Sequence, residues 1–220
     1  MFTGIVQSLG ILESAATTAA GKRFSVSLGA LANAPIAHGD SVCVSGVCLT
    51  AVSVSAGKAH FDVVTETLNR STLGSKKAGD RINLELSLRG DSFVGGHFVQ
   101  GHVDAVGAVA AVAENAADWR ITFRVPVGTM PFIVPKGSVA VDGVSMTIAE
   151  VGKETFTLAV IPTTLEKTTL GKLRVGDPVN VETDILARTV VHYLQQIAGN
   201  GAPQKESPIT LAKLRELGMA

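Results

Sequence analysis

Displaced by 97 positions, the chain lies on itself without an insertion. Gly4 falls on Gly101, Val6 on Val103, Gly46 on Gly143, Thr50 on Thr147, Thr67-Leu68 on Thr164-Leu165, Leu73-Gly74 on Leu170-Gly171, and Gly79-Asp80 on Gly176-Asp177. A period this long is too large for a solenoid unit and suits a complete small domain. Two copies of one domain imply two copies of one pocket. The functional question is what is gained by binding the same kind of ligand twice.

Of the 220 residues, 46% are apolar, enough for two cores, and the 19 basic and 19 acidic side chains cancel. No run of like charge stands out, so neither nucleic acid nor an anionic membrane is an expected partner, and a small molecule is. Met1 to Val6 has no basic leader, and no apolar stretch reaches the roughly 20 residues of a membrane span, so a soluble cytoplasmic protein is expected. Cys43 and Cys48 lie together in the first copy, where the second has Ala140 and Ser145. Free thiols in a reducing compartment fit this better than a disulfide framework.

Each copy is a series of short runs rich in Val, Ile, Thr and Phe, broken by Gly, Asp and Pro. Strands are expected over 5–12, 24–28, 41–44, 47–54, 59–64 and 81–88, and again over 103–112, 119–125, 138–141, 144–151, 155–161 and 178–183. Six strands in so few residues fit a closed barrel better than an open sheet, because closure removes exposed edges. The chain therefore reads as all-β, two tandem six-stranded Greek-key closed barrels followed by C-terminal helices. Leu68 to Leu73 and Leu165 to Leu170 suit helical turns, and Gly90 to Gly96 joins the copies. The division is 1–97 and 98–184 for the barrels, 185–198 for an oligomerisation helix, and 199–220 for a linker and short last helix. Leu186, Val190, Leu194 and Ile197 recur at helical spacing up to a stop at Gly199-Asn200-Gly201. With both barrels closed, that stripe needs another surface, which predicts an oligomer. Ser207-Pro208 begins the last helix, with Leu211, Leu214 and Leu217.

Polar residues that differ between the copies are the candidates for chemistry: Ile5 against His102, Gly39 against Lys136, Cys48 against Ser145, and Ser87 against Asp184. Cys48 with Thr50, and Ser145 with Thr147, are two apart on a strand and share a face. A thiol of ordinary pKa, about 8.5, is only slightly ionised at neutrality, so a nucleophilic Cys48 needs help from its surroundings. His102 titrates in the range that suits proton transfer. Taken singly, each also has a plain reading. Cys48 suits a small buried residue, His102 a surface histidine, Lys136 a solvated turn, and Asp184 a helix cap paired with Arg188. His97 and His102 are five apart with no third ligand clustered near them, so no metal site is expected.

Together these segments resemble the riboflavin synthases of the alpha-chain type. The resemblance is carried by Met1-Phe2-Thr3-Gly4-Ile5-Val6, Gly46-Val47-Cys48-Leu49-Thr50, Gly95-Gly96-His97-Phe98-Val99-Gln100-Gly101-His102-Val103-Asp104, Asp142-Gly143-Val144-Ser145-Met146-Thr147, Thr164-Leu165-Glu166 and Thr168-Thr169-Leu170-Gly171. It implies two six-stranded lumazine-binding barrels and a helix that holds a homotrimer. The N-terminal barrel of one subunit would face the C-terminal barrel of its neighbour, with two 6,7-dimethyl-8-ribityllumazines stacked between them. The implied reaction is exchange of a four-carbon unit between these two molecules, giving riboflavin and 5-amino-6-(D-ribitylamino)uracil, with no cofactor.

Carried over by position, the substrate-binding segments are Gly4-Ile5-Val6, Cys48-Leu49-Thr50 and Asp62-Val63-Val64-Thr65-Glu66-Thr67. Their counterparts are Gly101-His102-Val103, Ser145-Met146-Thr147 and Ala159-Val160-Ile161-Pro162-Thr163-Thr164, with Lys136 added. One lumazine must lose a proton from its C7 methyl, a task for His102 and a Ser145 with Asp184 pair, with Thr147 as hydrogen-bonding partner. The other must accept a nucleophile at C7, assisted by Cys48 with Ser41 nearby. Backbone recognition of the ring is the expected reason that Gly4 and Gly101 match. The alternative is a non-catalytic lumazine- or flavin-binding antenna protein, which would keep the repeated pocket but has no need of Cys48, His102, Ser145 and Asp184.

Overall fold

The computed structural model describes residues 1–114 and 119–200, together with Arg215; the last helix, expected after Ser207, lies outside the described residues. The first barrel is built from β1 (Ser8–Thr18), β2 (Gly21–Ser27), β3 (Ser41–Val44), β4 (Val47–Ser55), β5 (Lys58–Val64) and β6 (Arg81–Leu86), with a short helix α1 (Thr65–Arg70) between the last two. The second comprises β7 (Ala105–Ala113), β8 (Trp119–Arg124), β9 (Ser138–Val141), β10 (Val144–Val151), β11 (Thr155–Val160), α2 (Pro162–Lys167) and β12 (Pro178–Thr183). Both close as all-antiparallel rings in one order, β1-β2-β5-β4-β3-β6 and its copy β7-β8-β11-β10-β9-β12.

Alternation explains the closure. Phe24 and Val26, Val42 and Val44, Leu49 and Ala51, Phe61 and Val63, and Ile82 and Leu84 point inward and fill the first core, while their neighbours point out. Ile121, Phe123, Phe156, Leu158, Val139, Val141, Val179 and Val181 do the same in the second, where the rings of Phe123 and Phe156 stack. The repeat extends to irregularities. Register shifts at Leu12/Ser14 and Ala51/Ser53 recur at Val109/Ala111 and Ile148/Glu150.

The first strand of each barrel starts later than the pattern predicts, at Ser8 and Ala105, because the residues before it leave their own barrel. The first strand also runs on to Thr18, where Ala16, Thr17 and Thr18 are all exposed and show no alternation to read. β6 ends at Leu86 rather than Leu88, whose amide turns to Met1 O at 2.9 Å.

A helix α3 (Ile185–Asn200) begins where expected but continues through Gly199 and Asn200, past the predicted stop. Its apolar stripe is uncovered: Leu186, Val190, Tyr193, Leu194 and Ile197 are each 50% exposed or more. No helix among the described residues is long and apolar enough to cross a membrane.

The two barrels meet along a local two-fold relationship. The β3–β4 turn has positive φ at Ser45 and Gly46, and the β9–β10 turn at Asp142 and Gly143, as two-residue hairpin turns require. The turns abut, so that a Cβ added to Gly46 would lie 2.8 Å from Gly143 N. Asn83 Nδ2 donates to Asp142 O (2.9 Å), and its counterpart Asn180 Nδ2 donates to Ser45 O (2.7 Å). Each asparagine also accepts from the other barrel, Asn83 Oδ1 from Thr169 N and Asn180 Oδ1 from Thr72 N. Phe2, Cys43, Val99 and Ala140 form a small apolar core of their own at this junction.

Candidate functional site

Two segments cross over. Phe2 and Val99 pair with each other through both amides (2.7 and 3.0 Å), and each chain segment then passes to the opposite barrel. Gly4 O accepts from Ser145 N (2.7 Å), and Gly101 O accepts from Cys48 N (2.8 Å). Val6 packs against the second core and Val103 against the first. The crossing by itself requires glycine at both Gly4 and Gly101. Both have left-handed backbones, with φ of 76° and 79°, and an added Cβ would lie 2.6 Å from the Cβ of Ser145 or of Cys48. Only glycine allows so close a crossing.

The amide side of each crossing is held by a buried glutamate. Glu85 accepts from Thr3 N, Thr3 Oγ1 and Gly4 N at 2.7, 2.7 and 2.9 Å. Glu182 accepts from the amides of Gln100, Gly101 and His102 at 2.6, 2.9 and 3.0 Å. Burial pushes both carboxyls up, Glu182 to about 7, while the amide donors pull them back. Neither glutamate was among the expected site residues. The signal was present, because Glu85 and Glu182, like Asn83 and Asn180, are identical at the shift of 97.

Each site therefore draws on both copies. The first joins Cys48 and Thr50, on the outer face of β4, to Gly101, His102 and Val103. The second joins Ser145 and Thr147, on β10, to Gly4, Ile5 and Val6. His102 thus belongs with Cys48, although the chain places it in the second copy. Thr50, His102 and Thr147 are exposed, and Cys48 and Ser145 half-buried. Leu49 is buried in the first core and Met146 packs on the second, so the middle residue of each strand triplet supports rather than lines the surface.

Ser41 pairs in register with Thr50, two residues along β3 from Cys43 and so on the same face as the Cys43 and Cys48 pair. In the 62–67 segment Val63 points into the core, Val64 is exposed, and Thr65 to Thr67 open α1. The Asp62 carboxylate is engaged by Arg23 at 2.7 Å on both oxygens, a pair that faces solvent. In the matching segment Val160 is buried, Ala159 and Ile161 are exposed, and Pro162 to Thr164 open α2.

Ser145 finds a partner that the comparison of copies did not indicate. His97 Nδ1 lies 2.8 Å from Ser145 Oγ, and the His97 amide donates to Thr3 O at 3.1 Å. The imidazole is only 8% exposed, and its Nε2 has no hydrogen-bond partner. Burial pushes its pKa down, and the Asp184 carboxylate acts in the opposite direction. The Asp184 Oδ1 itself caps α3 by accepting from Leu186 N at 2.9 Å. The capping expected of Asp184 is present, but Arg188 pairs with Asp104 at 2.8 Å instead.

Lys136 and Gly39 occupy equivalent positions and make equivalent bonds, Lys136 N to Ile148 O (3.0 Å) and Gly39 N to Ala51 O (2.8 Å). Both are left-handed, with φ of 64° and 92°. For lysine this conformation costs about 1–3 kcal/mol, and such strain concentrates at functional positions.

The repeated closed barrel has a known counterpart. The family model described as "Lumazine binding domain" matches residues 3–87 and again 100–184. The class is therefore a tandem pair of lumazine-binding domains. Riboflavin synthase of Mycobacterium tuberculosis is 42% identical over 199 residues, covering 89% of this chain and 98% of the relative. Those of Photobacterium phosphoreum and Bacillus subtilis are 35% and 32% identical over 219 residues, 99% of this chain and 99–100% of theirs. Among solved structures, LumP complexed with 6,7-dimethyl-8-(1'-D-ribityl) lumazine superposes with a TM-score of 0.75 at 25% identity, covering 83% of this chain and 99% of that one. LumP complexed with riboflavin gives 0.76 at 27%. The chain belongs to the riboflavin synthase family, enzymes built on two lumazine-binding repeats.

Proposed function

We propose that this protein catalyses the dismutation of two 6,7-dimethyl-8-ribityllumazine molecules, in which four carbons pass from one to the other to give riboflavin and 5-amino-6-(D-ribitylamino)uracil. The observation that carries it is the pair of equivalent sites with unequal chemistry. One has the Cys48 thiol and His102 beside Gly101; the other has the Ser145 hydroxyl on His97, with Asp184 behind it. Two identical molecules bound there meet different reactive groups and can serve as donor and acceptor.

In this reading, neutral His97 and the Ser145 hydroxyl handle the proton at one lumazine, with Thr147 hydrogen-bonding beside them. His102 exchanges protons at the face of the first site, and Cys48, with Ser41 nearby on the same face, assists addition at C7 of the other lumazine. Lys136 supplies the positive charge of the second site. Segments 62–67 and 159–164 flank the rings. Holding two rings face to face can itself contribute up to about 7–11 kcal/mol toward lowering the activation barrier.

Both sites are open in a single chain, so the reading includes a homotrimer in which the first barrel of one subunit faces the second barrel of the next. The uncovered stripe of α3 supports it. A second reading, a LumP-like protein that binds lumazine without turnover, is favoured by the structural likeness to LumP. Incubating the protein with 6,7-dimethyl-8-ribityllumazine and following riboflavin absorbance decides between them. Riboflavin should form, and saturable binding without product would establish the second reading. Val190→Asp with Leu194→Asp should give a monomer by light scattering that binds lumazine but forms no riboflavin. A trimer, or an active monomer, would remove the shared site.

A further inference from the structure

The proposed mechanism leaves one buried nucleophile without a task. Cys43 lies directly opposite Cys48 across the β3–β4 hairpin. The hairpin turns on two residues, so Val44 and Val47 form its hydrogen-bonded closing pair and Cys43 and Cys48 the next, non-hydrogen-bonded one. Cys48 N accordingly points away from β3 and donates to Gly101 O. Opposed residues of that kind have Cα atoms about 4.5 Å apart, inside the span that a disulfide bridges. Val42, Val44, Val47 and Leu49 fill the core, which puts both cysteines on the outer face, where Cys48 packs on the small junction core that contains Cys43.

We infer that Cys43 and Cys48 form a reversible redox pair, a modification site for hydroperoxides that withdraws the Cys48 thiol from the first site. The half-exposed Cys48 reacts first, while burial pushes the Cys43 thiol well up and leaves it to react only with its neighbour. The Cys48 sulfur attacks the terminal peroxide oxygen. The O–O bond breaks, the thiol proton goes to the departing alkoxide, and Cys48 becomes a sulfenic acid. Cys43 sulfur then attacks Cys48 sulfur, the S–O bond breaks, and hydroxide leaves with the Cys43 proton as water. Two thiols are oxidised, and one hydroperoxide is reduced to an alcohol, or to water when hydrogen peroxide is the oxidant. The second copy has Ala140 opposite Ser145, so the modification is confined to one site. The loss of turnover it predicts rests on the function proposed above; the cross-link itself does not.

The full-length protein, treated with equimolar hydrogen peroxide and then unfolded in urea with iodoacetamide, tests this by intact mass and peptide mapping. Alkylatable thiols should fall from two to none, with an internal Cys43–Cys48 cross-link. Riboflavin formation should fall at least tenfold and return with dithiothreitol. Cys43→Ala, which copies the residue at 140, should retain untreated activity and instead accumulate a dimedone-trappable sulfenic acid at Cys48. A sulfenic or sulfinic acid at Cys48 in the unaltered protein, or links between chains only, would overturn the redox pair. Absence of riboflavin from untreated protein would instead overturn the functional reading, with the cross-link still readable by mass.

Discussion

His97 Nδ1 stands 2.8 Å from Ser145 Oγ, while the opposite ring nitrogen is buried and unpartnered. A neutral imidazole has one N–H and one lone pair, so one of these functions engages the serine and the other is left without a partner. Burial holds the pKa below the usual histidine range, and the ring stays neutral from neutral pH upward. His97→Ala should therefore lower kcat for riboflavin formation at least tenfold with a smaller change in KM. In the unaltered protein the contribution of His97 should be constant through neutral and alkaline pH and fail only on acidification. A kcat unchanged in His97→Ala would remove the residue from the mechanism.

Gly101→Ala should damage the site of the other copy. The added methyl meets Cys48 Cβ at 2.6 Å and Cys48 N at 2.7 Å, and the backbone there is left-handed. We expect a loss of about 1–3 kcal/mol in stability by urea unfolding. Lumazine binding at the first site should weaken and that at the second persist, and equal weakening of both would count against the crossed arrangement.

Lys136→Gly should move stability and binding in opposite directions. Glycine accepts φ of 64° without strain, as Gly39 does at the equivalent position. The melting temperature should rise, reflecting about 1 kcal/mol, while lumazine binding at the second site weakens through loss of the ammonium group. Unchanged binding would make Lys136 a simple turn residue.

Stability should fall as pH rises through neutrality. Glu182 is pushed up to about 7 from 4.5, and Asp142 to about 6 from 3.8, both chiefly by burial. The folded chain then holds these protons more tightly than the unfolded chain does. Its advantage is complete below the unfolded values and is lost as pH passes 6 and then 7. For Glu182 alone the difference is about 3 kcal/mol. Urea midpoints should decline between about pH 4.5 and 7.5 and flatten above, and Glu182→Gln should shrink that decline.

Much of the fold was legible. The strands of β3, β9, β10 and β12 fall within their predicted bounds because alternation and turn residues mark both ends. Legibility failed where a residue's partner lies far along the chain. Arg188 selects Asp104 over Asp184, four residues away, because Asp104 is bonded to Val181 and Thr183 of β12, the strand that leads into the helix. Glu85 and Glu182 look like ordinary strand residues until the amides they hold are known.

By itself the sequence determined that there are two copies of one barrel, which side chains differ between them, and that a helix with an unsatisfied stripe follows. It could not determine which barrel each N-terminal segment joins. A shift of 97 carries Gly4 to Gly101 and Cys48 to Ser145 whether a segment stays with its own barrel or crosses, so both arrangements have the same pattern. The tertiary structure decided for crossing, through two glycines without room for a Cβ and two buried glutamates that hold the crossing amides. That choice placed His102 with Cys48 and His97 with Ser145.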